Sequence, residues 1–176
     1  MKKTKFLLWC VLLLSGFAQA QCNLETFKFG TSISAVIQAI QPNEEKPFVD
    51  NNKYNKIVLE IPINKLCNTE KHLQKATVDF VFIFNKLVQF NIRSSSKKPQ
   101  LIHWAEAIYG KKPNKIKGFY TRQVTEDFIW ENDNAVIVYF IEPDGSLISE
   151  SISIQSKHFE KDFEKYYQIE EAKLSS

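Results

Sequence analysis

Three histidines, His72, His103 and His158, are the side chains best suited to move protons or hold a transition metal near neutral pH. None stands in a His-x-x-x-His or His-Glu-x-x-His spacing, so no single helix face presents a zinc pair. They act together only if the fold gathers them; otherwise they are surface or helix-end histidines. Glu126, Asp127, Glu131 and Asp133 bring carboxylates close in sequence, which suits a glycosidase pair or oxygen ligands for calcium. The densest part, Glu131-Asn132-Asp133-Asn134, lacks the Asp-x-Asp-x-Asp-Gly order of a calcium loop. Asn and Asp at this point are what a hairpin turn selects, so a turn is the expected reading.

Nucleophilic catalysis needs a base-activated Ser or Cys beside a stabilised oxyanion, and no Gly-x-Ser-x-Gly elbow occurs. Only five glycines are present, and neither a phosphate-cradling loop nor a dinucleotide fingerprint can be read from them. No catalytic or metal residue is assigned, and no cofactor is expected. Charge is unevenly spread. From Lys97 to Arg122 seven basic residues stand against one acid, and from Gln123 to Asp144 there are six acids and no base. Lys97, Lys98, Lys111, Lys112, Lys115 and Lys117 bracket one helical pattern and form a candidate patch for an anionic partner or lipid headgroup. Two solvated loops facing each other account for the same charges without a ligand.

These side chains sit in a chain that opens with Lys2, Lys3 and Lys5, an apolar run from Phe6 to Leu14, and small residues Ala18 and Ala20. That order reads as a signal peptide over residues 1–20, with the mature chain starting at Gln21. The run is too short to span a bilayer, so a soluble protein with no transmembrane segment is expected, periplasmic or secreted. Cys22 falls second in the mature chain, behind the large polar Gln21, which favours simple release over lipid attachment. Cleavage removes three lysines and no acid, so the formal net charge of +3 falls to zero. A neutral chain gives no reason to expect nucleic acid as a partner. Cys10 leaves with the leader, and the remaining pair, Cys22 and Cys67, is expected to form one disulfide in an oxidising compartment. Two thiols, or a bridge to another chain, is the competing state.

The elements that must position all this follow from periodicity. Thr31 to Ile40 carries Ile33, Val36, Ile37 and Ile40 at helical spacing behind a Gly30-Thr31-Ser32 start. Gln41 to Asn55 is polar and reads as an irregular connection. Ile57 to Ile63 alternates as a strand, and Pro62 assigns it to a sheet edge. Phe80, Phe82 and Phe84 lie in a strand joined through Asn85-Lys86 to a return strand from Leu87 to Arg93. Ser94 to Lys98 reads as a loop. Pro99 opens a second helix with Leu101, Trp104, Ala105 and Ile108 as its stripe. Strands follow within Phe119–Trp130, at Ala135–Ile141 and, after a Pro143-Asp144-Gly145 turn, at Ser146–Gln155. A last helix buries Phe159, Phe163 and Tyr166.

The expected fold is α+β: an antiparallel sheet joined by hairpins and packed by about three helices, in one domain over 21–176. A helix followed by strands occurs twice, which allows a duplicated unit over 21–93 and 94–176. The run from Phe29 to Ile40, with Gly30, Ser32, Val36 and Ile40 carrying the match, resembles the opening of small exported helix-plus-sheet modules. These are the modules of bacterial β-barrel-assembly accessory lipoproteins and of β-lactamase inhibitor proteins. The likeness covers about a dozen residues, and Gln41-Pro42 stands where a Gly and Pro often close that helix. It implies a helix packed on an antiparallel sheet and a role in binding other proteins, and it assigns no functional residue. The expected function is therefore an exported, non-enzymatic module that binds another protein or an envelope component. The alternative is an extracytoplasmic hydrolase whose acids and histidines meet only in the fold.

Overall fold

In a computed structural model of the protein, the alternating segments pair into one continuous antiparallel sheet and the amphipathic ones pack on it. The structure describes residues 24–40, 48–52, 55–67, 70–111, 116–117 and 126–175, and the expected leader, its cleavage site and Cys22 lie outside them. In chain order the main elements are α1 (Ile33–Ile40), β1 (Phe48–Asn52), β2 (Lys56–Pro62), β3 (Thr77–Ile83) and β4 (Lys86–Ser96). Then come α2 (Leu101–Tyr109), β5 (Ile116–Lys117), β6 (Glu126–Glu131), β7 (Ala135–Asp144), β8 (Leu147–Ser156) and α3 (Glu160–Leu174).

The strand order is β1-β2-β3-β4-β8-β7-β6-β5. It reads as two runs of helix plus four strands, laid edge to edge along the β4–β8 seam, where Phe90 faces Ile154 and Ile92 faces Ile152. Period-two alternation assigns each strand a buried parity. Leu59 and Ile61, Val78, Phe80 and Phe82, Phe90 and Ile92, Ile152 and Ile154, and Ile137 and Tyr139 all turn to one face. There they meet Val36 of α1 and Leu101, Trp104 and Ala105 of α2 in the main core. Each such apolar side chain, fully buried, contributes roughly 1.5–3 kcal/mol. Phe80 and Phe90 meet edge to face, with centroids 5.3 Å apart.

Several local details differ from the periodicity reading. β1 lies within the stretch read as irregular, and it pairs with β2, so β2 is interior. Pro62 is tolerated because it is the last residue of β2, beyond the reach of β1, whose first residue, Phe48, lies opposite Glu60. The β3–β4 turn is Phe84-Asn85 rather than Asn85-Lys86, both with positive φ (49° and 62°), which matches a two-residue turn closed by Ile83 and Lys86. Ser94, Ser95 and Ser96 continue β4 instead of forming a loop, because β8 supplies them with partners Glu150, Ser149 and Ile148. The last hairpin turns at Gly145-Ser146, and Pro143 and Asp144 remain in β7.

α1 starts as read: the Ser32 hydroxyl accepts from the Ala35 amide at 3.4 Å. α2 is held differently. Its first free amides, Gln100, Leu101 and Ile102, donate to the carboxylate of Glu150 at 2.7, 3.1 and 3.4 Å. The Tyr139 hydroxyl donates to the same group at 2.9 Å. Glu150, 1% exposed, thus pins the second helix to β8 from inside the core. No described helix is long and apolar enough to cross a membrane.

Candidate functional site

The residues of opposite parity form the other face of the sheet. α3 covers only its β2–β3–β4 side, where Phe163 and Tyr166 pack on Val81, Ile83 and Val88. Lys86 ties that helix down through Asp162 at 3.1 Å, and Lys56 sits 5.8 Å from the centre of the Tyr166 ring. Over β8, β7 and β6 the described helices reach this face only at one end, where Lys157 pairs with Glu131 and Glu160, the first residue of α3, lines a hollow with Val136 and Gln155.

Register places the open residues in rows. Asn91, Ser153, Val138 and Ile129 line up across β4, β8, β7 and β6, and Gln89, Gln155, Val136 and Glu131 form the next row. Arg93, Ser151 and Phe140 form a third. The face therefore grades from charged through small polar to apolar. At the charged side, Arg93 donates to both oxygens of Asp79 at 3.0 and 2.9 Å and to Glu60 at 2.8 Å. The Asp79 hydrogen bonds, followed by attraction to both carboxylates, hold the guanidinium above its ordinary value against the opposing effect of burial. In the middle, Gln89 donates to Asn91 and Ser153 at 2.6 and 3.0 Å. Serines at 149, 151 and 153 keep this strip low between longer neighbours. At the far side Val136, Val138, Phe140 and Ile129 are half-buried, yet belong to neither packed core cluster.

The chemistry-bearing residues are dispersed. His72 and His103 come together, ring centroids 5.6 Å apart, but both are exposed. His72 meets the Gln100 side chain at 3.3 Å, and His103 lies 4.0 Å from Glu106. His158 is remote from them in sequence and bonds the Asn134 side chain at 3.1 Å. It stands at the polar side of a cavity of about 370 Å3 lined by Phe27, Phe29, Phe90, Tyr109 and Ile154, with no Asp or Glu among the described residues of its wall. Among the described residues no three His, Cys, Asp or Glu gather as a metal set. The acidic segment is a turn: the Asn132 side chain accepts from the amides of Asn134 and Ala135 at 2.9 and 2.8 Å.

The lysines read as one patch are divided. Lys97 and Lys98 precede α2, Lys111 follows it, and Lys117 sits in β5 opposite Glu126, while Lys112 and Lys115 lie outside the described residues. A nine-residue helix is about 13 Å long, which keeps Lys97 and Lys98 apart from Lys111. Lys97 and Lys98 instead share a cleft with Lys71 and Lys75, which the linear reading missed because they stand more than twenty residues upstream. The only foreshadowing signal was a third short basic run, Lys71-His72. Cys67 is half-buried against the main core, and its expected partner Cys22 lies outside the described residues. No family model, no curated protein and no solved structure matches the chain.

Proposed function

We propose that this chain is an exported, non-enzymatic binding module that engages another protein, or a protein-bearing envelope component, through the open face of β8, β7 and β6. The observation that carries this reading is the group of Ile129, Val136, Val138 and Phe140, half-buried and packed into neither core, beside a strip of serines, Gln and Asn. A mixed apolar and hydrogen-bonding surface of this kind suits a partner that is met and released, since such interfaces are no more apolar than ordinary surface. A rigid, hydrogen-bonded sheet also loses little conformational freedom on docking. The signal-peptide pattern of residues 1–20 supports export, and the resemblance of residues 29–40 to exported binding modules supports the role. The exposed meeting of His72 and His103, with the single carboxylate of Glu106 beside the latter, gives the hydrolase alternative less support than the sheet face gives to binding.

The test is co-isolation of a partner from envelope and culture supernatant by the tagged mature chain, its Phe140→Glu and Ser151→Arg variants, and Glu164→Arg on the exposed side of α3. The expected result is one discrete partner retained by wild type and by Glu164→Arg and lost by both sheet-face variants, at unchanged melting temperature. Retention by all four proteins, or turnover of a substrate by the purified chain, contradicts the reading.

A further inference from the structure

The cleft shared by Lys71, Lys75, Lys97 and Lys98 lies away from the open sheet face, at the end of the molecule where β4 runs into α2. One wall is a 3-10 turn, Lys71–Leu73, anchored by the fully buried Leu73. The other is the end of β4 and the connection to α2, fixed by pairing with β8 and by the grip of Glu150 on the amides of residues 100–102. The hollow between them has a volume of about 330 Å3, and Ser94 and His72 also reach its lining.

Four lysines line this hollow and, among the described residues, no Asp or Glu does. Among the described residues none of the four lysines forms an ion pair. The nearest acid in sequence, Glu70, is turned to the backbone, where it accepts from the His72 amide at 3.3 Å. Like charges held on two fixed walls repel one another and sum to a local positive potential, which an entering anion relieves. The start of α2 adds nothing to this, because Glu150 already occupies its amides.

We propose that this cleft is a binding site for a compact ligand bearing phosphate groups. Lysine supplies three N–H donors around a point charge, a match for phosphate oxygens from several directions. A hollow of this size accepts one or two phosphate groups on a small carrier, in the range of small-ligand sites, and is too short for an extended acidic chain. The phosphate is borne either by a free solute or by a lipid headgroup presented at a membrane surface. The site is independent of the sheet-face reading.

Isothermal titration of the mature chain with inorganic pyrophosphate at low ionic strength tests it, alongside flotation with phosphatidylcholine vesicles containing or lacking phosphatidic acid. Pyrophosphate is expected to bind, with shifts in the amide spectrum confined to residues around 71–75 and 94–98. The double variant Lys71→Glu/Lys97→Glu is expected to weaken binding by at least about tenfold. Lys161→Glu on α3 keeps wild-type affinity, and equal melting temperatures exclude misfolding. Binding of phosphatidic acid vesicles that pyrophosphate displaces identifies a headgroup, and pyrophosphate binding without vesicle binding identifies a solute. No pyrophosphate binding, or binding indifferent to the double variant, overturns the proposal.

Discussion

Glu150 shows how a single side chain can decide where a helix sits. A strand that otherwise shows Ser outward and Ile inward carries one carboxylate at the inward parity of Ile148, Ile152 and Ile154. Buried at 1% exposure, it is tolerated because three amides and the Tyr139 hydroxyl surround it. Glu150→Ala strands those donors in the core and is expected to cost about 3 kcal/mol, or roughly 10 °C in Tm. Tyr139→Phe removes one donor only and costs about 1 kcal/mol. Paired thermal melts check both, and equal losses for the two would contradict the capping role. The parity of Glu150 was readable from the sequence; its partner was not, because nothing in the 100–102 segment marks it as needing a carboxylate from fifty residues away. Lys97 and Lys98 were legible in the same partial sense, since their charge was plain and the lysines that join them lie on a separate turn.

At the scale of elements, segments with a full stripe or clean alternation form as their periodicity dictates, α1, α2, α3, β3, β7 and β8 among them, though Phe84 falls in the turn after β3, Pro143 and Asp144 extend β7, and Phe159 stands just ahead of α3. β1 was hidden because Phe48–Asn52 mixes two apolar residues with three polar ones, and its strand identity depends on the neighbouring β2. Ser94 to Ser96 were hidden for the same reason, being held extended by β8. α3 packs on the sheet through an ionisable side chain, Tyr166. Burial, then the nearby charge of Glu170 and of Tyr167, raises the Tyr166 phenol above its ordinary value of 10.0. In the unfolded chain the phenol ionises first, so this contribution to stability is complete below pH 10 and is lost as pH rises through the folded value. Denaturant unfolding at about pH 8 and about pH 11 is expected to show a drop that Tyr166→Phe reduces. An identical drop in the variant would show that Tyr166 carries none of it.

For the whole molecule, the α+β class and the hairpin connections were legible, since short turns between strands leave no room for helical crossovers. The β4–β8 seam was not, because a strand records in its own residues that it is buried, and rarely beside which strand. That seam makes one broad sheet from two helix-plus-strands runs and creates the open face. α3 then covers one part and leaves Phe140, Val138 and the serine strip uncovered by any described helix. A bridge from Cys22 to Cys67, part of the proposed exported state, would close a loop worth roughly 4 kcal/mol.

The most direct measurement is site-specific photocrosslinking in the producing cell, with a photoreactive residue placed in turn at Ser151, Ser153 and Val138 on the sheet face and at Glu164 on α3. The account predicts one discrete crosslinked species, common to the three sheet positions and absent at 164. Crosslinks at 164 alone, or none at the sheet positions under conditions where the purified protein remains folded, would contradict it.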